Sequence, residues 1–211
     1  AGSSQIGGNI GTNAGGIKVI RYGMTRNWVA GLKVVTGTGE LLELNKDLTK
    51  NATGYDLRQL FIGAEGTLGF VVEATMKLDR APRNLTAMVL GTPDFDSIMP
   101  VLHAFQDKVD LTAFEFFSDK AMAKIMGRGD VPAPFETDCA FYALLEFEGL
   151  NEDVANEALA TFEHCVEQGW VLDGVMSQSE QQLQNLWKLR EFISETISHW
   201  TPYKNDISLT V

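Results

Sequence analysis

Gly7-Gly8-Asn9-Ile10-Gly11-Thr12-Asn13-Ala14-Gly15-Gly16 packs five glycines into ten residues. Two further segments share the bias, Gly37-Thr38-Gly39 and Gly63-Ala64-Glu65-Gly66-Thr67-Leu68-Gly69. Glycine admits positive φ and lets backbone N–H groups approach a ligand closely. Thr12 and Asn13 add side-chain donors, so the chemistry suits a pyrophosphate or an extended dinucleotide. The common phosphate motifs fail on spacing. No G-x-G-x-x-G follows a strand and opens a helix, and Gly11-x-x-x-x-Gly16 is followed by Ile17 rather than Lys. By composition alone these segments serve as turns or as a ligand cradle, and spacing does not decide between them.

Around the glycines, Leu32-Lys33-Val34-Val35 and Leu41-Leu42-Glu43-Leu44 read as strands of a hairpin turning at 36–40. Residues 55–62 read as a short helix stopped by Gly63, and 70–78 as a strand. The chain opens on Ala1-Gly2-Ser3-Ser4-Gln5, without a Met and without a strand to support the glycine loop, which leads us to expect an internal fragment of a longer polypeptide.

Composition changes near Asp79-Arg80-Ala81-Pro82-Arg83. Residues 1–80 hold 14 of the 20 glycines with 9 basic and 7 acidic side chains, whereas 81–211 carry 8 basic and 21 acidic. A domain boundary is expected there. The second part alternates strand candidates (87–90, 113–117, 140–147, 171–176) with helix candidates (95–109, 119–126, 151–168, 179–200). Asn151 followed by Glu152 and Asp153 is a good helix opening. The pattern predicts an α+β layer, an antiparallel sheet covered on one face.

Several classes are disfavoured. The 211 residues are 45% hydrophobic and 21% charged, a globular composition able to bury a core. A net charge of −11 repels phosphate backbones, so no nucleic-acid partner is expected. No apolar run approaches the roughly 18 residues of a spanning helix. Cys139 and Cys165 are too few for a disulfide framework, and free thiols fit a cytoplasmic protein. His103, His164 and His199 form no metal-ligand spacing.

The glycine segments, with Arg21-Tyr22-Gly23, Leu32-Lys33-Val34-Val35, Gly54-Tyr55-Asp56-Leu57 and Leu60-Phe61-Ile62-Gly63-Ala64-Glu65-Gly66-Thr67-Leu68-Gly69, closely resemble FAD-linked oxidases and dehydrogenases of the vanillyl-alcohol oxidase type. The resemblance implies that residues 1–80 are the second lobe of the FAD-binding domain and 81–211 a truncated, ferredoxin-like substrate cap. By motif match, Ser3, Ser4, Gln5, Gly7, Gly8 and Asn9 would face the flavin and ribityl end. Thr12, Asn13, Ala14 and Gly15 would approach the pyrophosphate, and Glu65, Gly69 and Val71 the adenosine half. Ile10 and Gly11 stand where relatives often carry Val and Ala. The first FAD lobe would precede residue 1.

From residue 129 onward there are 15 acidic residues and three cations, Lys188, Arg190 and Lys204. On the 179–200 helix, Trp187, Arg190 and Ser194 share a face beside an apolar stripe. An arginine there can offer a planar fork to a carboxylate, or simply pair with Glu195, as Lys188 can with Glu191. Phe114-Glu115-Phe116-Phe117, Leu186-Trp187-Lys188-Leu189-Arg190-Glu191 and Tyr203-Lys204-Asn205-Asp206-Ile207-Ser208-Leu209 resemble the cap of D-2-hydroxyglutarate dehydrogenases. In that group an Arg, a hydroxyl four residues on and a later Lys hold a substrate carboxylate; the matching residues are Arg190, Ser194 and Lys204, with Ser194 where relatives often have Thr.

The implied activity is FAD-dependent oxidation of a D-2-hydroxy acid, D-2-hydroxyglutarate first, with D-lactate or glycolate as alternatives of the same family. No catalytic residue is assigned within this chain: the base histidine, and ligands for a divalent metal such as zinc, are expected after Val211. Electrons would go to an electron-transfer flavoprotein, a quinone or a cytochrome. The fragment alone is expected to be inactive, and to self-associate through the surface meant for its missing lobe. Expected locations are the cytoplasm, the inner-membrane periphery or the mitochondrial matrix, according to source. The rival reading is a non-catalytic binding or assembly module derived from flavoprotein sequence.

Overall fold

The computed structural model describes residues 4–45, 48–149 and 151–208. The chain divides into two compact units, Ala1–Ala81 and Pro82–Val211.

The first unit is a three-stranded antiparallel sheet with short helices. β1 (Val29–Thr36) is central, paired with β2 (Leu41–Leu44) and β3 (Gly69–Met76). Leu32 stands opposite Leu44 and Ala74, and Val34 opposite Leu42 and Val71. Alternation sends Leu32 and Val34 to one face, and the register shift between Val29 and Gly31 lets Val29 join them, with Leu44 and Ile62, in the core. The expected short helix contracts to α3 (Arg58–Phe61). The backbone before it is held instead by the Asp56–Arg58 pair, and Gly63 stops it at φ +85°.

The glycine stretch departs from the expected loop. Its first half is a helix, α1 (Ile6–Thr12), and a single turn, α2 (Val19–Tyr22), follows. None of its glycines takes positive φ; Asn13 does, at +49°. Asn13 N–H reaches Ile10 O and Ala14 N–H reaches Asn9 O, the paired bonds that close a helix through a left-handed residue. Ile10, 1% exposed, is the side chain of α1 in the core. The aliphatic variation noted at position 10 is thus a packing matter.

The second unit is a four-stranded antiparallel sheet in the order β5-β6-β4-β7, with β4 Leu85–Thr92, β5 Leu111–Ser118, β6 Phe141–Glu148 and β7 Asp173–Met176. With α4 (Ile98–Gln106) after β4 and α6 (Glu152–Glu167) after β6, this is the β-α-β-β-α-β ferredoxin-like arrangement. α5 (Asp119–Met126) is added between β5 and β6, and α7 (Glu180–Ile197) follows β7. Ser118, Asn151 and Ser179 cap α5, α6 and α7 through their side-chain oxygens. α4 begins only at Ile98 because Asp94 Oδ1 takes both Ser97 N–H and Ser97 Oγ–H.

The sheet is covered on both faces, not one. Met88, Leu90, Ala143, Leu145 and Phe147 pack with Ile98, Val101 and Phe105 of α4 and Ala158 and Cys165 of α6. The alternate positions, Ala87, Val89, Leu144 and Glu146, are buried too, beneath α7. β6 reads Phe-Tyr-Ala-Leu-Leu-Glu-Phe-Glu, an almost unbroken apolar run. A strand hydrophobic at both parities demands cover on both sides. Among the described residues no helix is long and apolar enough to cross a membrane.

Candidate functional site

In the first unit, α1 is tied by its C-terminal carbonyls to the third glycine segment, residues 63–69. Gly63 N–H donates to Ile10 O and Glu65 N–H to Gly11 O, each at 2.9 Å. These are carbonyls that a helix end leaves unsatisfied. Glu65 takes φ +50°, which turns the chain back toward β3. Asn13 Oδ1 accepts Arg26 N–H at 3.0 Å, and Ala14 O accepts Thr25 N–H and Thr25 Oγ–H. Arg26 reaches on to Gln59 and to Ile62 O.

Glu65 is therefore brought to the first segment, while Gly69 and Val71 lie on β3 against β1. A side chain at Gly69 would meet Val35 O at 2.9 Å, so glycine there serves strand packing. A side chain at Gly15 would press on Met24. Ser4 Oγ donates to Asn9 Oδ1, Gln5 O accepts Asn9 N–H, and Thr12 Oγ–H folds back on Gly8 O. Ser3 lies outside the described residues.

Gly7, Gly8 and Gly11 behave differently from Gly15 and Gly69. Among the described residues, a Cβ at any of them meets nothing within 4 Å. Each costs about 0.8–1 kcal/mol of helix stability relative to Ala, and packing among the described residues gives no return. A bare helix backbone open to close approach from outside fits a bound group such as FAD, whose pyrophosphate and ribityl chain need N–H and C=O groups unshielded by side chains.

In the second unit, α7 carries two of the three expected cations, Lys188 and Arg190. It is seated by Leu183, Leu186, Trp187 and Leu189, all buried. Trp187 Nε1–H donates to Glu146 Oε2 at 2.8 Å, and Thr112 Oγ–H donates to the other oxygen of that carboxylate. Thr112 can do so because the ladder between β5 and β6 shifts register between Leu111 and Ala113, as at a bulge. Arg190 Nε donates to Glu115 Oε2 at 2.8 Å, across from helix to strand. Lys204 Nζ donates to Ser194 Oγ at 2.6 Å.

So Ser194 and Lys204 are brought together, with Arg190 one turn back on the same helix. The surface pairs considered from spacing take other forms: Glu195 meets Arg128, and Lys188 bonds Asn185. Glu115, the partner of Arg190, was not singled out by sequence reading. Its signal was a lone carboxylate inside Ala113-Phe114-Glu115-Phe116-Phe117.

His199 lies with its ring 3.6 Å from that of Trp200, and His164 meets Trp170 edge-on. Burial pushes the Cys165 thiol up to about 11 and raises that of Cys139 as well, which keeps both protonated and unreactive. Among the described residues no group of three His, Cys, Asp or Glu side chains could hold a metal ion.

Residues 81–211 match the C-terminal domain of FAD-linked oxidases, and residues 1–45 match an FAD-binding domain. The chain is 89% identical over 211 residues to a D-2-hydroxyglutarate dehydrogenase of Stutzerimonas stutzeri, covering all of this chain and 46% of that protein. It is 37% identical to the mitochondrial D-2-hydroxyglutarate dehydrogenase of Danio rerio, again over the whole chain and 40% of the relative. The solved structure of an alkyldihydroxyacetonephosphate synthase matches 87% of this chain and 35% of its own at a TM-score of 0.61 and 21% identity, a likeness of fold. The chain spans less than half the length of the curated relatives it matches. On the match across residues 81–211, the chain belongs to the FAD-linked oxidases.

Proposed function

We propose that residues 1–80 are the second FAD lobe, and 81–211 part of the substrate cap, of a dehydrogenase that oxidises a D-2-hydroxy acid to the 2-oxo acid. D-2-hydroxyglutarate is the substrate of choice, supported by the names of the relatives and by α7. The observation that carries the reading is the Lys204–Ser194 contact at 2.6 Å, one helical turn from Arg190.

Lys204 has no lone pair to offer, so its ammonium donates to Ser194 Oγ and leaves the Ser194 hydroxyl proton for another acceptor. With the η-nitrogens of Arg190, one turn back on α7, these donors would serve one anionic group. A carboxylate distant from the reacting carbon fits this set, and fixing it would hold the C2 carbon in one orientation. Gly7, Gly8, Gly11 and the backbone of 12–15 would hold FAD, with Glu65 alongside. When bound, FAD supplies the two-electron acceptor for the C2–H bond that breaks. No residue of this chain is assigned as the base for the hydroxyl proton, and no role is given to a metal. Electrons then pass to an acceptor of the quinone, cytochrome or electron-transfer flavoprotein class.

The test is steady-state kinetics of the full-length protein with a dye acceptor. Arg190→Ala should raise KM for D-2-hydroxyglutarate by about 10–100-fold, the worth of a charge-assisted hydrogen bond. Unchanged KM for the diacid would remove the carboxylate clamp.

A further inference from the structure

Glu115 is not explained by the roles so far assigned. It lies mid-strand in β5, opposite Leu144 of β6, on the sheet face that α7 covers. Its side chain is 19% exposed, and its neighbours on that face are Ala113 and Phe117, both buried. A carboxylate in such a place gives up hydration and needs a partner in return. Arg190 is that partner.

A purely structural brace between helix and sheet is the simplest account. Yet α7 is already seated by four buried apolar side chains and by the Trp187–Glu146 bond. An arginine still one-third exposed adds little holding power. The geometry is more informative. Glu115 takes the Nε edge of the guanidinium, and a planar five-donor group held at Nε has its plane fixed. The two η-nitrogens are then presented in one orientation, at low entropic cost to whatever they bind. Glu115 also offsets one of the two cations of the cluster.

We infer that Glu115 is a positioning residue: by holding Arg190 at Nε, it aims the η-nitrogens at the distal carboxylate of a dicarboxylic hydroxy acid. This rests on the reading of Arg190 given under the proposed function.

The experiment is a double-mutant cycle in the full-length protein, with kcat and KM measured for D-2-hydroxyglutarate on wild type, Glu115→Leu, Glu115→Gln, Arg190→Ala and Glu115→Leu/Arg190→Ala. Glu115→Leu should raise KM by about 10–100-fold, the range for losing one hydrogen bond to a charged group, with kcat little changed. Glu115→Gln, which keeps an acceptor oxygen for Nε, should lie closer to wild type than Glu115→Leu, and it carries the test if the leucine variant does not fold. In the Arg190→Ala background, Glu115→Leu should add nothing. Effects that multiply, or a Glu115→Leu variant that loses kcat with KM unmoved, would make Glu115 a structural brace and overturn the inference while the clamp stands. If Arg190→Ala leaves KM unmoved, the clamp itself falls, and the inference with it.

Discussion

Arg58 joins three parts of the first unit through one side chain. Its Nε and Nη2 meet the two oxygens of Asp56 at 2.7 Å each, and Nη1 donates to Val29 O and Ala30 O of β1. The Arg58 hydrogen bond holds the Asp56 carboxyl below its ordinary range. A carboxyl depressed in the folded state contributes stability above the unfolded value, near 3.9, and loses it as pH falls through the folded value. Asp56→Asn should therefore flatten the acid limb of a thermal-stability profile below about pH 4 and leave its slope near neutrality unchanged. An acid limb as steep as that of wild type would place the stabilising linkage elsewhere. Glu146 shows the other way to keep a carboxylate: 1% exposed, it depends on donors that face it, Thr112 and Trp187. Neither pairing was legible in the sequence. Asp56 and Arg58 stand too close in sequence to suggest a loop-to-strand tie, and Glu146 acquires Trp187 only because α7 crosses the sheet, 41 residues later.

Elements were legible where periodicity and caps agreed. α5 and β2 occupy the expected residues, and α6 starts directly after the expected Asn151 cap. Misreadings arose where tertiary contacts decided. α1 is helical despite its glycines, because Ile10 buries against β1 and the Gly63 and Glu65 N–H groups take its terminal carbonyls. Sequence weighs the glycine cost but cannot see those partners. The second sheet face was missed because the strand candidates were read as half-buried, although the run at 140–147 is apolar at both parities. The bare face of α1 makes its own prediction. Gly8→Ala meets no atom within 4 Å among the described residues and should raise the apo-protein's unfolding free energy by about 0.4–1 kcal/mol. The same methyl should weaken FAD binding, measured by flavin titration of the apo full-length protein. Unchanged FAD affinity would mean that α1 is not the surface FAD approaches.

Over the whole chain, the two units carry different chemistry. The first concentrates glycine and is nearly neutral; the second carries 21 of the 28 acidic residues. In so acidic a unit, three cations over the last 83 residues, with Arg190 and Lys204 on or beside one helix, are a local exception. Motif order made the cofactor lobe readable, since glycine spacing survives as sequence. The cations of the proposed carboxylate clamp stand out in the sequence, whereas the Glu115–Arg190 contact does not, because strand β5 and helix α7 meet only in the fold.

The proposed role of this chain is to supply the flavin lobe and the acid-binding cap of a 2-hydroxy acid dehydrogenase. It is tested most directly by mixing the full-length protein anaerobically with D-2-hydroxyglutarate, and separately with D-lactate, and following the yellow flavin absorbance. Rapid bleaching by D-2-hydroxyglutarate, much faster than by D-lactate, is the predicted result. Purified protein without flavin, or flavin that neither acid bleaches, would contradict it.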